Sequence, residues 1–504
     1  MNLAAAFSNC AQQHARKTAI FWGNREISYA DLLAQSQQIA AHLQNHVGVK
    51  PGDRVGLWLK NCPEFVPAVF GILRADAVVV PINNFLKVDE VNFIIGDAGI
   101  DVLVTDTELG SHFRALAVAR PQLRLFKVDE APTKGPGDGN RAARERSLAG
   151  VSHRLPASSS DLAVLIYTSG TTGRPKGAML SHGNLLHNVE SCRIVLQTVE
   201  ADRFAVLLPL FHSYMLTVGM LLPLLVGGSI VLVKSLHPVR NVLQEVIQRQ
   251  ATVLPAIPPF YRSMVNAPAH VPLPLRICVS GAAPLPVQVL REFEAKFHIP
   301  LIEGYGLSEA SPVVTKNPLD GNRKPGSIGL PIPHVEVSVQ NDHGRELGAN
   351  EIGEICVRGG NVMLGYWKQP AETAKTMRND WLLTGDIGYR DEEGYYFITD
   401  RKKDMLLVNG INVYPREIEE VLYQFPGVKE AAVIGRPDSR KGEQPIAFVS
   451  PNEGAVIEEK ALQQFVRRKL ADYKVPRKIV ILPALPRNAT GKILKTTLRE
   501  MPVN

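Results

Sequence analysis

Up to about residue 325, short apolar runs rich in β-branched residues alternate with segments of helical periodicity. Parallel strands need a long crossover connection, usually a helix, so this alternation is typical of helices packed on largely parallel sheets. We therefore predict layered α/β structure for this part of the chain. The predicted helices cover 30–46, 64–74, 184–197, 240–250 and 286–297. The predicted strands cover 54–59, 77–82, 102–106, 162–170, 229–233, 251–257, 276–281 and 300–306.

From residue 326 the pattern changes to short strands without long helices between them. The runs GSIGLPIPHVEVSVQ (326–340) and GEICVRGG (353–360) predict a β-rich subdomain. Nearer the C-terminus, helical and strand-like runs alternate again, which predicts a compact α+β module. The charged string DRKKD separates this module from the rest. We predict a large N-terminal domain over 1–399, a hinge over 400–404 and a small mobile C-terminal domain over 405–504.

The five cysteines lie far apart and form no CxxC pair. An odd count without paired spacing argues against both a disulfide framework and a zinc site. Free thiols suit a reducing compartment, so we expect a cytoplasmic protein. A twenty-residue loop over 131–150 is rich in Gly, Pro and charge and is predicted to lie at the surface. The cysteines are Cys10, Cys62, Cys192, Cys278 and Cys356.

The most apolar segment is YMLTVGMLLPLLVGGSIVLV, over 214–233. Its length alone would suit a membrane span. However, Pro223 and the pair Gly227–Gly228 interrupt it, which predicts a buried helix, a turn and a buried strand. A peripheral contact with a membrane through this face stays open. The first twenty residues lack a basic segment followed by a long apolar run, so they predict an amphipathic helix rather than a signal peptide.

The formal net charge is +7, and the excess lies in residues 401–504, which hold 19 Lys and Arg against 12 Asp and Glu. A basic C-terminal region suggests a polyanionic partner. Nucleic acid, a phosphorylated cofactor such as coenzyme A and a merely solvated face are the alternatives. No recognition motif for nucleic acid accompanies the charge, so we expect no nucleic-acid partner.

The run YTSGTTGRPKG (167–177) combines a strand end with glycines, hydroxyls and one lysine. Backbone N–H groups in a Gly-rich turn can converge on phosphate oxygens, and Lys176 adds a positive charge. The spacing does not fit a Walker A loop, because Pro175 precedes the lysine and Gly177 follows it. A triphosphate is therefore the predicted ligand, with a flexible linker as the alternative for such a composition.

Five further motifs follow this loop along the chain: SGAAPL (280–285), EGYGLSE (303–309), TGDIG (384–388), DRKKDMLLVNGINVYPREIE (400–419) and PRNATGKILK (486–495). In this order they resemble the adenylate-forming superfamily, which includes acyl- and aryl-CoA ligases, adenylation domains and firefly luciferase. The resemblance covers essentially the whole chain. It implies an enzyme that joins a carboxylate to AMP with release of pyrophosphate and then transfers the acyl group to a thiol.

The resemblance implies ATP and coenzyme A as substrates and Mg²⁺ as the metal. Lys492 matches the catalytic lysine, whose ammonium bridges the substrate carboxylate and the α-phosphate. Glu309 matches the magnesium-associated glutamate, and Thr168 is expected to share that metal. His212 matches a residue that gates the acid pocket, and Lys403 matches the hinge position.

The resemblance also implies the nucleotide contacts. Asp386 matches a ribose-binding carboxylate, since two acceptor oxygens suit a vicinal diol, and Arg401 matches a second ribose contact. Tyr305 is expected to stack on adenine, and Gly410 to lie near the pantetheine of coenzyme A. Lys495, close to the catalytic lysine, is expected at the surface. The full predicted set is Thr168, Ser169, Gly170, Thr171, Thr172, Gly173, Lys176, Gly281, Ala282, Ala283, Gly304, Tyr305, Gly306, Ser308, Asp386, Ile398, Arg401, Gly410 and Lys492.

The segment LPLFHSY (208–214) resembles the opening of the acid pocket. Amino-acid adenylation domains place an Asp after the Phe, but this chain has His212 there, and an unpaired ammonium in an apolar site is costly. The residues beyond, such as Met215 and Met220, are apolar and adaptable. We predict a fatty-acyl-CoA ligase for medium- or long-chain acids, with an aryl or hydroxycinnamate-type acid as the alternative.

Other functions of the same fold are alternatives. An acyl-AMP ligase would deliver the acyl group to a carrier protein, and dependence on coenzyme A distinguishes the two. A luciferase-like oxygenase is disfavoured, since the relevant lysine is absent from the segment 404–407. A non-catalytic binding protein is disfavoured by the intact motif residues. A homodimer is common among proteins of this kind, and the sequence leaves it open.

Overall fold

The computed structural model describes residues 1–130, 158–168, 175–236, 238–267, 272–409, 411–438, 442–488 and 491–502. The predicted surface loop 131–150 lies outside these ranges. Within them, no helix combines the length and the hydropathy that a membrane crossing requires.

The largest sheet contains nine of the described strands. The six central strands are parallel, and antiparallel strands form both edges. In spatial order the strands are Leu330–Pro331, Val313–Lys316, Leu301–Gly306, Ile277–Ser280, Val253–Ala256, Arg203–Val206, Ser229–Leu232, Thr18–Trp22 and Arg25–Ser28. Helices Val239–Gln248, Pro258–Asn266 and Val287–Phe297 contribute to the apolar cluster that covers one face of this sheet.

A second sheet contains six of the described strands and is parallel except at one edge. There the last two strands form an antiparallel pair around the glycine-rich loop. In spatial order they are Arg124–Lys127, Val102–Thr105, Arg54–Trp58, Val78–Pro81, Leu162–Thr168 and Lys176–Ser181. The helices in this half are Leu3–Gln13, Tyr29–Asn45, Phe65–Arg74, Val88–Ala98, Phe113–Ala119 and His182–Val195, with a 3₁₀ turn at Leu109–His112.

The third sheet is antiparallel and corresponds to the predicted β-rich subdomain. Its strands, within the described residues, are Val335–Gln340, Gly353–Gly359, Trp381–Arg390, Met377–Arg378 and Tyr396–Arg401. A short helix, Pro370–Thr376, precedes the hairpin of this sheet, and a 3₁₀ turn at Ser308–Ala310 lies before it in the chain.

The C-terminal part builds a sheet of its own. Its described strands are Ile411–Val413, Leu406–Val408, Gly442–Pro451, Val428–Asp438 and Lys478–Ile481. Helices Pro415–Tyr423, Glu459–Arg467 and Lys495–Glu500 accompany them, with a 3₁₀ turn at Asp472–Lys474. This sheet has separate apolar clusters, whereas the first three sheets share one core. The predicted fold class, a large layered α/β domain with a β-rich subdomain and a small α+β domain, is confirmed.

The apolar segment 214–233 folds as predicted in outline but differs in its helix. Residues Met215–Leu221 form a π-helix, which continues as the short α-helix Leu222–Leu225 and leads to the buried strand. Pro223 lacks an N–H and cannot donate to the carbonyl four residues earlier, so a regular α-helix cannot run through this point. Every residue of the π-helical stretch is buried. π-Helical turns are rare and concentrate at functional sites.

Gly329 is the glycine whose replacement we expect to be most costly for the fold. Its φ is +89°, and an added Cβ would lie 2.0 Å from the carbonyl carbon of Lys316. We predict that Gly329→Ala lowers the free energy of unfolding by about 3 kcal/mol, through backbone strain together with a steric clash. Gly52→Ala is the matched control, because Gly52 has a φ of +82° but open space around it. Denaturant midpoints compare the two variants, and equal losses would contradict the predicted clash.

Candidate active site

A cavity of about 420 Å³ lies between the large domain and the C-terminal domain. Its lining comes from the ends of parallel strands, from the antiparallel sheet and from the last thirty residues of the chain. Many of the residues that the sequence motifs indicated lie together here. They are Ala282, Ala283, Gly304, Tyr305, Gly306, Asp386, Ile398, Arg401, Lys403 and Lys492.

Asp386 is the carboxylate at the centre of this cavity. The antiparallel pairing of strands Trp381–Arg390 and Tyr396–Arg401 places Asp386 opposite Arg401, and Arg401 Nε lies 3.1 Å from Asp386 Oδ1. The hydroxyl of Tyr305 donates to Asp386 Oδ2 at 2.6 Å. Burial, and then the neighbouring Asp386, raise the pKa of Tyr305 well above its usual value, so the phenol remains a donor. Asp386 is therefore held in place by one cation and one hydroxyl while its residue is only 5% exposed.

Lys492 projects from a tight turn of the C-terminal domain. The Asn488 side chain accepts from the backbone N–H of Lys492 at 2.9 Å, and the Asn488 N–H donates to the Lys492 carbonyl at 2.9 Å. Gly491 has a φ of +81°, and a Cβ there would lie 2.3 Å from Ile257 Cδ1 of the large domain. The turn therefore needs glycine both for its backbone conformation and for its close approach to the other domain.

Lys492 and His212 both have lowered pKa values. Burial is the main cause that lowers the pKa of Lys492 to about 8, and the Arg401 guanidinium lowers it further, while Asp386 opposes both. Burial, with the positive charge of Lys492, lowers the pKa of His212 to about 4. His212 is consequently neutral near pH 7, and its Nδ1 accepts from the backbone N–H of Tyr214 at 3.3 Å. The site thus holds an ammonium beside a neutral imidazole.

A second group of polar side chains lies at the glycine-rich loop. Thr168 Oγ1 donates to Glu309 Oε1 at 3.2 Å, and the Tyr366 hydroxyl donates to the same oxygen at 3.0 Å. Lys176 is 7% exposed and pairs with Glu372 at 2.6 Å. Among the described residues, no group of three or more His, Cys, Asp or Glu side chains could hold a metal ion. The predicted contacts Ser169, Gly170, Thr171, Thr172, Gly173 and Gly410 lie outside the described residues.

Gly281, the first small residue of the second motif, lies against the Tyr214 ring. A Cβ on Gly281 would lie 3.1 Å from the Tyr214 ring, whose hydroxyl donates to the Val279 carbonyl at 2.9 Å. Ser308 shares a hydrogen bond of 2.9 Å with Ser213. The Tyr214 ring therefore packs directly on the backbone of Gly281, with no side chain between the ring and the backbone.

Sequence reasoning missed several residues of the site. Tyr366 and Glu372 belong to a segment without a motif, and no spacing signal marks them. Lys495, which we expected at the surface, instead faces the cavity, with its Nζ 2.8 Å from Glu419 Oε1. Burial lowers the pKa of Lys495, but Glu419 and Asp400 outweigh burial, so the pKa is raised. The surface assignment was wrong because the neighbouring carboxylates come from distant parts of the chain.

An ion pair between two residues that line the cavity links the two domains. Arg416 of the C-terminal domain lies 3.9 Å from Glu303 Oε1, which also accepts from the backbone N–H of Leu285 at 2.9 Å. Glu303 is 3% exposed, and burial raises its pKa to about 7 although Arg416 opposes this. The backbone N–H of Arg416 donates to Asp400 Oδ2 at 3.0 Å. Arg416 therefore fixes the C-terminal domain to both the large domain and the connecting segment.

We predict that Arg416→Met loosens the C-terminal domain, because it leaves Glu303 buried without its cation. Limited proteolysis with chymotrypsin between residues 400 and 409 should become about tenfold faster, the ratio that corresponds to about 1.4 kcal/mol. Arg477→Met is the control, since Arg477 pairs with Asp438 at 3.7 Å with 71% of its side chain exposed. Equal cleavage rates in the two variants would contradict the prediction.

Comparisons with known proteins agree with this geometry. The pattern of the AMP-binding enzyme family matches residues 7–367, and that of the AMP-binding enzyme C-terminal domain matches residues 417–492. A long-chain-fatty-acid–CoA ligase of Bacillus subtilis (strain 168) is 36% identical, covering 99% of this chain and 94% of the relative. A feruloyl-CoA synthase of an Amycolatopsis species is 35% identical, with coverage of 97% and 96%.

The crystal structure of ATP-bound MatB from Rhodopseudomonas palustris matches with a TM-score of 0.89 and 34% identity, covering 99% of each chain. The two-domain fold is that of AMP-binding enzymes. The chain belongs to the adenylate-forming family of AMP-binding enzymes and is an ATP-dependent acyl-CoA ligase, that is, an AMP-forming acid–thiol ligase.

Proposed function

We propose that the protein activates a medium- or long-chain fatty acid as acyl-AMP and transfers the acyl group to coenzyme A. The observation that carries the acid class is the π-helical stretch Met215–Leu221, which is buried throughout and begins beside the Ser213–Ser308 contact. Such an apolar wall suits a hydrocarbon chain. The name of the Bacillus subtilis relative supports the same class.

In the first half-reaction, an oxygen of the substrate carboxylate attacks the α-phosphate and the bond to pyrophosphate breaks. Two anions must approach each other, so a cation between them stabilises the transition state. Lys492 takes this role, since its ammonium faces the same cavity as Asp386 and Arg401. Neutral His212 lines the entrance of the acid pocket without adding a competing positive charge.

Asp386 and Arg401 hold the ribose, Ile398 and the small residues 281–283 contact the nucleoside, and Lys176 meets the phosphates after leaving Glu372. The oxygens of Glu309 and Thr168 fit a Mg²⁺ ion, which keeps several waters and takes few protein ligands. When bound, that ion neutralises phosphate charge.

In the second half-reaction, the thiolate of coenzyme A attacks the acyl carbon and AMP leaves. We propose that the basic C-terminal domain binds the phosphates of coenzyme A, with Gly410 near the pantetheine. The division at 1–399, 400–404 and 405–504, with Lys403 in the hinge, forms part of the same proposal.

An aryl acid is the second candidate, and one contact favours it. A Cβ on Gly219 would lie 2.0 Å from Met215 Sδ, so the methionine fills the space beside this glycine. A short planar acid needs less depth than a long chain. The feruloyl-CoA synthase among the relatives has a name that agrees with this alternative.

The substrate experiment measures AMP release from ATP and Mg²⁺ with saturated acids from C4 to C18, benzoate and cinnamate, with and without coenzyme A. We expect the highest kcat/KM among the aliphatic acids and a requirement for coenzyme A. A maximum at cinnamate would favour the aryl alternative, and acyl-AMP that accumulates despite coenzyme A would indicate a carrier protein as acceptor.

The role of Lys492 predicts an alkaline limit to adenylation. Its ammonium is present below a pKa of about 8, so the rate should fall as the pH rises through this value. Pyrophosphate exchange between pH 6.5 and 9.5 measures the fall, which should approach tenfold per pH unit above the pKa.

Lys492→Arg and Lys492→Ala are the matched variants for this prediction. The arginine variant keeps a charge across the whole range and should be slower without the alkaline fall. The alanine variant should lose adenylation but still bind ATP, as followed by equilibrium binding. Normal turnover in the alanine variant would refute the assigned role.

A further inference from the structure

Lys316 is a buried lysine that has no counter-charge among the described residues. It ends strand Val313–Lys316 and is 6% exposed. Within the described part of the chain, its ammonium makes no ion pair or hydrogen bond, and the Cys192 thiol is its electrostatic neighbour. Burial lowers its pKa to about 8, so the group still carries a proton at neutral pH. An unpaired buried ammonium is destabilising by several kcal/mol, so its retention needs a reason.

Two segments, the π-helix and the segment that leads to strand Val313–Lys316, lie side by side next to the reaction centre. At the cavity end, Ser213 Oγ and Ser308 Oγ lie 2.9 Å apart. One turn further along the π-helix, Thr217 Oγ1 donates to the Ser311 carbonyl at 3.0 Å. Beyond Ser311 the chain enters strand Val313–Lys316, while the π-helix continues to Leu221.

The third segment near Lys316 is helix His182–Val195, which contacts the strand that contains this lysine. Asn188 bonds both backbone groups of Val313, donating to its carbonyl at 2.7 Å and accepting from its N–H at 3.1 Å. One helical turn later comes Cys192, whose thiol pKa is raised by burial and lowered by the charge of Lys316. Three strand residues span roughly 10 Å, which places Lys316 about that far beyond Val313. Its side chain lies over Gly304, with Cγ 3.6 Å from where a Cβ would be.

We propose that Lys316 is a specificity-determining residue that binds a second carboxylate, at the far end of the acid substrate. The proposal rests on the acid activation described above and narrows its substrate from a plain fatty acid to an acid with a terminal carboxylate. An ammonium offers three donors, and a carboxylate supplies both the missing charge and the acceptors. A plain alkyl chain would remove the remaining water from the ammonium without supplying a hydrogen-bond acceptor or a negative charge.

The test compares pairs of acids of equal chain length, from C6 to C12, that differ by a terminal methyl or a terminal carboxylate. Coenzyme A-dependent AMP release gives kcat/KM for each. The wild-type protein should prefer the dicarboxylate by at least tenfold at one length. Lys316→Met, which keeps the length and removes the charge, should reverse this preference and keep or raise kcat/KM for the monoacid. Lys324→Met is the control, because Lys324 pairs with Asp391 at 2.5 Å and should leave the ratio unchanged.

A wild-type preference for the monoacid at every length, with the ratio unaltered by Lys316→Met, would overturn the inference while the proposed ligase activity stands. If no acid is turned over, the proposed function fails, and thermal shifts decide about Lys316 separately. Stabilisation of the wild-type protein by a dicarboxylate that Lys316→Met loses would support the inference, and its absence would overturn it. The variant is expected to fold, because replacing an unpaired buried charge by an apolar side chain of similar size is neutral or stabilising.

Discussion

The arrangement of the site depends on one buried carboxylate, Asp386, which three parts of the chain approach. The nine-stranded sheet contributes Tyr305, the antiparallel sheet contributes Arg401, and both bond Asp386 directly. The C-terminal domain contributes Lys492, whose pKa responds to Asp386 and Arg401. Because the carboxylate has a cation on one oxygen and a hydroxyl on the other, its position is fixed before any ligand arrives. A change in either strand register would therefore displace the whole site.

Most of the predicted residues that line the cavity lie within short contiguous motifs, so the order of the motifs along the chain was sufficient to find them. The helix near residues 29–45 and the strand near 301–306 also followed from local periodicity. The site residues that sequence reasoning missed are different. Their roles arise from contacts between segments that are distant in the sequence. Glu303 and Arg416 each lie within one of the motifs, but they are separated by more than a hundred positions, and no local pattern indicates that they pair. Lys316 follows an ordinary apolar strand, so only its burial distinguishes it from a surface lysine.

The π-helix illustrates the same limit. The sequence predicted a buried helix over this segment, and Pro223 indicated where the helix would be interrupted. The change of hydrogen-bonding pattern over Met215–Leu221 depends on how the segment packs against Ser308 and Ser311, which lie almost a hundred residues away. Periodicity describes which face of an element is buried, but it does not describe the partner that occupies that face.

Four buried or partly buried lysines of the described chain fall into two groups that differ in their partners. Lys176 and Lys495 each have a carboxylate within 2.8 Å, from Glu372 and Glu419, so the folded protein already balances their charge. Lys492 and Lys316 have pKa values lowered to about 8 by burial and, among the described residues, no carboxylate in an ion pair. Keeping an ammonium in such a place is unfavourable unless an anion arrives with the ligand. Lys492 lines the cavity, and if Lys316 binds the far end of the substrate, as we propose, the two unpaired lysines would balance an acid that is negatively charged at both ends.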